Sequence, residues 1–93
     1  MELSEVRAQI KKIDQRIAEL IKERTDLAVH VFNAKKDKNT EIVDNNQVED
    51  VLKRAEEFAA LNEIDTDAMR RIFEILIEIN TEEQQKLLRQ DSS

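Results

Sequence analysis

The sequence predicts an all-α fold of three helices, a long first helix and two shorter ones, assembled as an intertwined homodimeric bundle. Three observations favour this architecture. The 93 residues include no Gly and no Pro, so nothing breaks a helix, and strand-favouring aromatic residues make up only 3%. Apolar residues recur at helical spacing in three segments. The first of these segments is too long for a compact single chain.

The first helix is predicted from an apolar periodicity that begins at Leu3 and fades after Lys36, at the turn-favouring stretch DKNTE. Its N-cap is predicted at Ser4. Apolar residues alternate steps of three and four along it, which is typical of an a/d heptad seam. Arg24 is the exception, because a charge occupies a seam position. The seam comprises Leu3, Val6, Ile10, Ile13, Ile17, Leu20, Arg24, Leu27, Val31 and Ala34.

The second helix is predicted to begin at Asp44. Asp44 and Gln47 have the spacing of a capping box, and Val43 and Val48 have the spacing of a hydrophobic staple. The helix is expected to end near Leu61. Its apolar face is formed by Val51, Leu52, Ala55, Phe58 and Ala59.

The third helix is predicted to be capped by Asp65 or Thr66. Two polar residues, Asn80 and Gln84, fall on its apolar stripe one turn apart. The stripe itself comprises Met69, Ile72, Phe73, Leu76, Ile77, Leu87 and Leu88.

Helix length predicts the oligomeric state. A first helix of roughly 33 residues is about 50 Å long, whereas a compact domain of this size is about 32 Å across. The helix would therefore project with its apolar seam in water. A homodimer that pairs this helix with its copy is the simplest remedy.

Composition excludes several classes of function. The formal charge of −6 argues against nucleic acid, which requires a basic face. No apolar run approaches the ~20 residues of a membrane span, and no signal-peptide pattern opens the chain. Without Cys, neither a disulfide nor a thiolate metal site can form. We expect a soluble cytoplasmic protein with one domain over residues 1–90 and a disordered polar tail over 91–93.

Three cations share one narrow stripe of the first helix, namely Arg7, Arg24 and Lys35. Arg24 lies about 25 Å along the axis from Arg7 and about 16 Å from Lys35. Arg24 and Lys35 are close enough to converge on a small molecule, and in an antiparallel dimer the partner's Arg7 would reach the same place. The stripe therefore indicates two equivalent anion pockets, each lined by two chains.

A lone arginine on a seam is more often a snorkelling or carboxylate-paired residue than a binding group. Asn80 and Gln84 favour the binding interpretation, because buried polar groups require partners and a polar pocket inside a bundle would supply them. The glutamate pairs at 56–57 and 82–83 are interpreted as solvated faces, so no metal site is expected. No Ser/His/Asp or Cys/His arrangement is present, and a glycine-rich phosphate loop is impossible.

The chain resembles the all-helical chorismate mutases, small intertwined three-helix dimers. The resemblance covers nearly the whole chain and rests on three stretches: VRAQIKKIDQRIAELIKERTDLAVHVFNAKK, IVDNNQVEDVLKRA and RRIFEILIEINTEEQQ. The family pattern is LRxxIDxxDxxLLxLLxxRxxLAxxVxxxK, a D-x-x-R-E segment and IFxxIIExSxxxQ. The matching residues are Arg7, Ile13, Asp14, Arg24, Lys35, Asp44, Phe73, Glu78 and Gln84.

This resemblance implies an isomerase of the shikimate pathway and aromatic amino acid biosynthesis. Arg24 and the partner's Arg7 would bind the two carboxylates of chorismate, and Lys35 and Gln84 would hydrogen-bond its ether oxygen. Asn80 would line the carboxylate end of the site, and Asp44 its edge. The rearrangement to prephenate requires no nucleophile, proton transfer or cofactor.

One departure leaves the substrate open. Where the family commonly has Arg-Glu, this chain has Gln47 and Val48. The family's glutamate binds the ring C4 hydroxyl of chorismate, and Val48 cannot. Val48 is either a staple residue or a contact for a substrate altered at that ring position. The alternatives are therefore an isochorismate-pyruvate lyase, a mutase of a related substrate such as 4-amino-4-deoxychorismate, and a catalytically weak or non-catalytic helical dimerisation module.

Overall fold

The structure is a computed structural model that describes the backbone of residues 1–37 and 45–91, together with their side chains apart from 32, 34–37 and 91. Three helices follow one another: α1 (Leu3–Asp37), α2 (Asn45–Leu61) and α3 (Thr66–Asp91). No strand occurs in these ranges. The predicted all-α class and its three helices are confirmed. Residues 92–93 are outside the described part, and the domain division at residue 90 stays a prediction.

α1 is a 35-residue helix, about 52 Å long at the rise of an α-helix. The backbone N–H of Val6 donates to the carbonyl of Glu2 at 3.0 Å, which makes Glu2 the N-cap. The predicted cap at Ser4 is therefore wrong, because the helix begins earlier and Ser4 already lies in its first turn.

The connection between α2 and α3 is closed by two capping motifs. The Ile64 N–H donates to the carbonyl of Ala59 at 2.9 Å, with Glu63 between them in the left-handed region at φ 58°. This is a Schellman motif, in which Glu63 takes the position that usually favours Gly. The Ala68 N–H then donates to the Asp65 carboxylate at 3.0 Å. Asp65, one of the two predicted caps, is thus the N-cap of α3.

α3 is the central helix, because it packs against both α2 and α1. The described chain has four buried apolar residues: Ala28 from α1 and Leu52, Ala55 and Ala59 from α2. Three of them are alanines, whose small size lets the helices approach closely. The molecule measures 55 × 26 × 15 Å with a radius of gyration of 16.6 Å, against about 12 Å for a compact chain of this length.

The seam of α1 remains in solvent in the single chain. Seven of its large apolar side chains are between 44% and 64% exposed: Leu3, Ile10, Ile13, Ile17, Leu20, Leu27 and Val31. A continuous apolar stripe of this kind is typical of a surface that another helix covers.

Arg70 of α3 forms ion pairs that link α3 to α2. Its guanidinium donates to Glu56 of α2 at 2.7 Å and lies 3.7 Å from Glu49 and 3.6 Å from Glu74. The hydrogen bond to Glu56 raises the pKa of Arg70. These contacts fix the relative position of α2 and α3. Across the described ranges, no helix combines the length and apolar character that crossing a membrane requires.

Candidate active site

Arg24, the charged residue on the apolar seam of α1, contacts the side-chain amide of Asn80 in α3. Arg24 Nη1 donates a hydrogen bond to Asn80 Oδ1. Asn80 Nδ2 donates to Thr25 Oγ1 at 3.3 Å, and the Thr25 hydroxyl donates to the carbonyl of Ile21 at 2.8 Å. Both ends of the Asn80 amide are therefore used, one by Arg24 and the other by Thr25. This chain of hydrogen bonds sets the direction of the half-buried Arg24 side chain.

Gln84 makes the second polar contact between the same helices. Its Nε2 donates to the carbonyl of Ala28 at 3.2 Å. Gln84 is only 6% exposed, the most buried polar residue in the described part of the chain. Because a carbonyl can only accept, this contact fixes which end of the amide is nitrogen. A primary amide has two N–H groups, so one remains to donate to another acceptor.

The two contacts follow the same order along both helices. Asn80 and Gln84 are one turn apart on α3, and their partners Arg24 and Ala28 are one turn apart on α1. α1 and α3 therefore run in the same direction where they touch. Three of the polar residues that the sequence placed on two apolar stripes, Arg24, Asn80 and Gln84, are thus brought to one contact between α1 and α3.

A cavity of about 480 Å³ opens beside Arg24. A second guanidinium, that of Arg54, also lines it. Its other walls are apolar and come from α2 and α3: Val51, Ala55, Phe58, Met69 and Phe73. Burial lowers the pKa of Arg24, and the positive charge of Arg54 lowers it further. An anion in this cavity would offset both effects, because it stabilises the charged guanidinium.

Two predicted site residues are placed elsewhere in the single chain. Val48 lines a different cavity, of about 570 Å³, together with Leu52 and Glu78. Arg7 is exposed, and it lies 17 residues before Arg24 on α1, a separation of about 25 Å. Neither side chain therefore joins Arg24, Asn80 and Gln84 within one chain.

The last two predicted site residues cannot be placed. Lys35 belongs to the backbone of α1, but its side chain lies outside the described residues, as does all of Asp44. The roles of all these residues in binding stay predictions.

The sequence analysis did not identify Arg54 or Thr25 as site residues. The sequence indicated Arg54 only weakly, because it lies about 40° beyond Phe58, at the edge of the predicted apolar face of α2. In the structure it lines the same cavity as Phe58. Nothing in the sequence indicated Thr25, because its hydroxyl contributes only by accepting a hydrogen bond from Asn80.

The guanidinium groups of Arg24 and Arg54 line a partly apolar cavity, where hydrogen bonds to an anion are stronger than in water. The Asn80 and Gln84 amides lie at the neighbouring contact between α1 and α3 and are not part of the cavity wall. Among the described residues, no group of three or more His, Asp or Glu side chains is arranged to hold a metal ion.

Comparison with known proteins identifies the family. A comparison with curated proteins found no significant match. The description of a protein family, chorismate mutase type II, matches residues 6–85, which include all of α2 and most of α1 and α3. The resemblance seen in the sequence is thereby confirmed, and the chain belongs to the chorismate mutase type II family, whose members are all-helical.

Proposed function

We propose that the protein is a chorismate mutase, which rearranges chorismate to prephenate. The observation that carries this proposal is the convergence of Arg24, Asn80 and Gln84 at one contact between α1 and α3, with Arg24 also lining a cavity, in a chain of this family. Arg24 supplies a guanidinium for a carboxylate. Gln84 supplies an amide N–H from a buried position, where a hydrogen bond to charge is strong.

The reaction requires only what such a site offers. Chorismate rearranges within one molecule, through a chair conformer in which a C–O bond breaks as a C–C bond forms. Negative charge grows on the ether oxygen in the transition state. Donors fixed before the reaction stabilise that charge without reorganisation, and binding both carboxylates selects the reactive conformer. Lys35 and Gln84 are the proposed donors to the ether oxygen, and Asn80 and Asp44 are proposed to line the site.

The proposed site is completed by a second copy of the chain. Arg7 is too far from Arg24 within one chain, so the partner's Arg7 is proposed to bind the second carboxylate. Support comes from the exposed seam of α1, the elongated shape and the small buried core. An antiparallel pairing of α1 with its copy would cover the seam and bring Arg7 across. We further propose a cytoplasmic location, as an isomerase of aromatic amino acid biosynthesis.

No contact favours the isochorismate alternative. It was motivated by Val48, which lines the cavity of Leu52 and Glu78 and not the cavity of Arg24. Nor does any contact favour a non-catalytic helical module.

The test is the conversion of chorismate by the purified protein, followed through its ultraviolet band. Replacing Arg24 by Ala should lower kcat/KM by about 10³-fold or more, since it removes a charged donor. Arg16→Ala is the matched control on α1, because Arg16 is exposed and pairs only with glutamates of its own helix. Wild-type protein that leaves chorismate unchanged would overturn the proposal.

A further inference from the structure

We infer that Arg54 of α2 is a further substrate-binding residue, which faces the same cavity as Arg24 and adds a second guanidinium from the same chain to the recognition of a cyclic dicarboxylate. The dicarboxylate class rests on the proposed function. The placement of Arg54 rests on the cavity alone.

The cavity has the shape and chemistry that such a ligand requires. Its volume of about 480 Å³ is within the range of about 300–1,000 Å³ typical of small-molecule sites. Met69, Phe58 and Phe73 form apolar walls for an unsaturated ring. The two guanidinium groups supply the polar contacts, and each carboxylate can accept hydrogen bonds from more than one of them. The carboxylates of the ligand could therefore still accept a hydrogen bond from a third cation, contributed by a partner subunit.

Two positively charged side chains, Arg24 and Arg54, line the same cavity, an arrangement that favours an anion. The hydrogen-bond acceptor of Arg24 across the helix contact is the neutral amide of Asn80, and not a carboxylate. The positive charge of Arg54 acts on Arg24 strongly enough to lower its pKa. Like charges that face one cavity repel, and an anion between them turns this repulsion into two attractions. Both groups remain protonated at neutral pH, because arginine does not lose its proton in that range.

Arg54 has an existing partner, and it is a weak one. Arg54 Nε lies 3.1 Å from Asp50 Oδ2, one turn earlier on α2, and the two side chains are 64% and 60% exposed. An exposed pair of this kind contributes little to stability. It leaves the guanidinium able to turn toward a ligand.

The experiment measures the affinity of the protein for prephenate, the product of the proposed reaction, by isothermal titration calorimetry. Arg54→Met keeps the length of the side chain and removes its charge. It should weaken binding of prephenate about 10- to 100-fold, as the loss of a charge-assisted hydrogen bond does. Benzoate, which has one carboxylate, should lose less affinity. Arg54→Lys should restore part of the prephenate affinity.

Lys53→Met is the matched control. Lys53 is exposed on α2 beside Arg54 and does not line the cavity. An equal loss of affinity in Lys53→Met would show a general charge effect and overturn the inference. A change of oligomeric state in Arg54→Met, measured by light scattering, with unchanged affinity in the assembled fraction would also overturn it.

The outcomes separate this inference from the proposed function. If Arg54→Met binds prephenate as wild type does while Arg24→Met does not, the inference fails and the function stands. If Arg54→Met loses binding but wild type leaves chorismate unchanged, Arg54 is a dicarboxylate ligand in a protein that is not a mutase. If wild type binds neither compound, both proposals fail.

Discussion

Arg24 of α1 donates a hydrogen bond to the side-chain oxygen of Asn80 in α3, so the charge on the apolar seam has a neutral acceptor on another helix. A carboxylate at that position would have neutralised the guanidinium. The amide orients it and leaves its positive charge available to a ligand. This relationship predicts opposite effects of one substitution on stability and on binding.

Asn80→Asp should stabilise the fold and weaken substrate binding. The new carboxylate would pair with Arg24 and contribute about 1 kcal/mol at neutral pH. Arg24 would lower the pKa of this Asp, so the gain is present above the unfolded pKa of about 3.9 and is lost as the pH falls through the lowered value. KM for chorismate should rise about 10-fold or more, because the substrate carboxylate then competes with Asp for the guanidinium.

Thermal melting and steady-state kinetics at pH 7 measure both effects of Asn80→Asp. Gln85→Glu, which adds the same charge at an exposed position of α3, is the control. A higher Tm without any change in KM would mean that Arg24 does not bind the substrate.

Much of this contact was predictable from the sequence, since helical spacing placed Arg24, Asn80 and Gln84 on apolar stripes. Local capping chemistry likewise identified Asp65. The spacing of apolar residues alone does not predict how α2 is rotated about its own axis. That rotation follows from the packing of Leu52, and it decides which cavity each neighbouring residue lines.

The consequence is clearest for two residues of α2. Val48 and Val51 are only about 60° apart around the helix, yet they line different cavities. Arg54 lines the cavity of Val51, which helical spacing did not predict, whereas Val48 was proposed because it matches the glutamate position of the family pattern. The cap of α1 was misassigned for a different reason, because Glu2 contributes only its backbone carbonyl and no capping side chain.

Gln84→Glu should make activity depend on pH, whereas wild type should show little dependence around neutrality. A carboxylate at this buried position would face the Ala28 carbonyl, which cannot donate to it. Burial raises the pKa of such a group. Its protonated form can donate as the amide does, so activity should be highest in acid and fall as the pH rises through the raised pKa.

The measurement for Gln84→Glu is a pH–rate profile of kcat from pH 4.5 to 8. Gln84→Leu, which has no donor, should be about 10²- to 10³-fold slower across the whole range. A flat profile for Gln84→Glu would contradict a donor role for this residue.

Glu63→Gly should raise stability without affecting activity. Glu63 adopts φ 58°, which costs a residue with a side chain more than it costs Gly. The expected gain is about 1 kcal/mol, reduced in part by the greater freedom of Gly in the unfolded chain. Denaturant unfolding measures it. Glu57→Gly, in the middle of α2, should instead lose about 1 kcal/mol. A loss in both variants would mean that the Schellman motif does not form in solution.

Ile17→Glu distinguishes a dimer from a single chain. Ile17 is 50% exposed on the α1 seam, so a charge there would barely disturb an isolated chain. In the proposed dimer the same charge is buried against the other α1, where it is costly without a partner. Light scattering should therefore show dissociation, and chorismate turnover should fall with it because the partner's Arg7 is withdrawn. Gln9→Glu adds the same charge off the seam and should leave both unchanged. Full activity of Ile17→Glu as a monomer would mean that one chain holds the complete site, with Arg54 in place of Arg7.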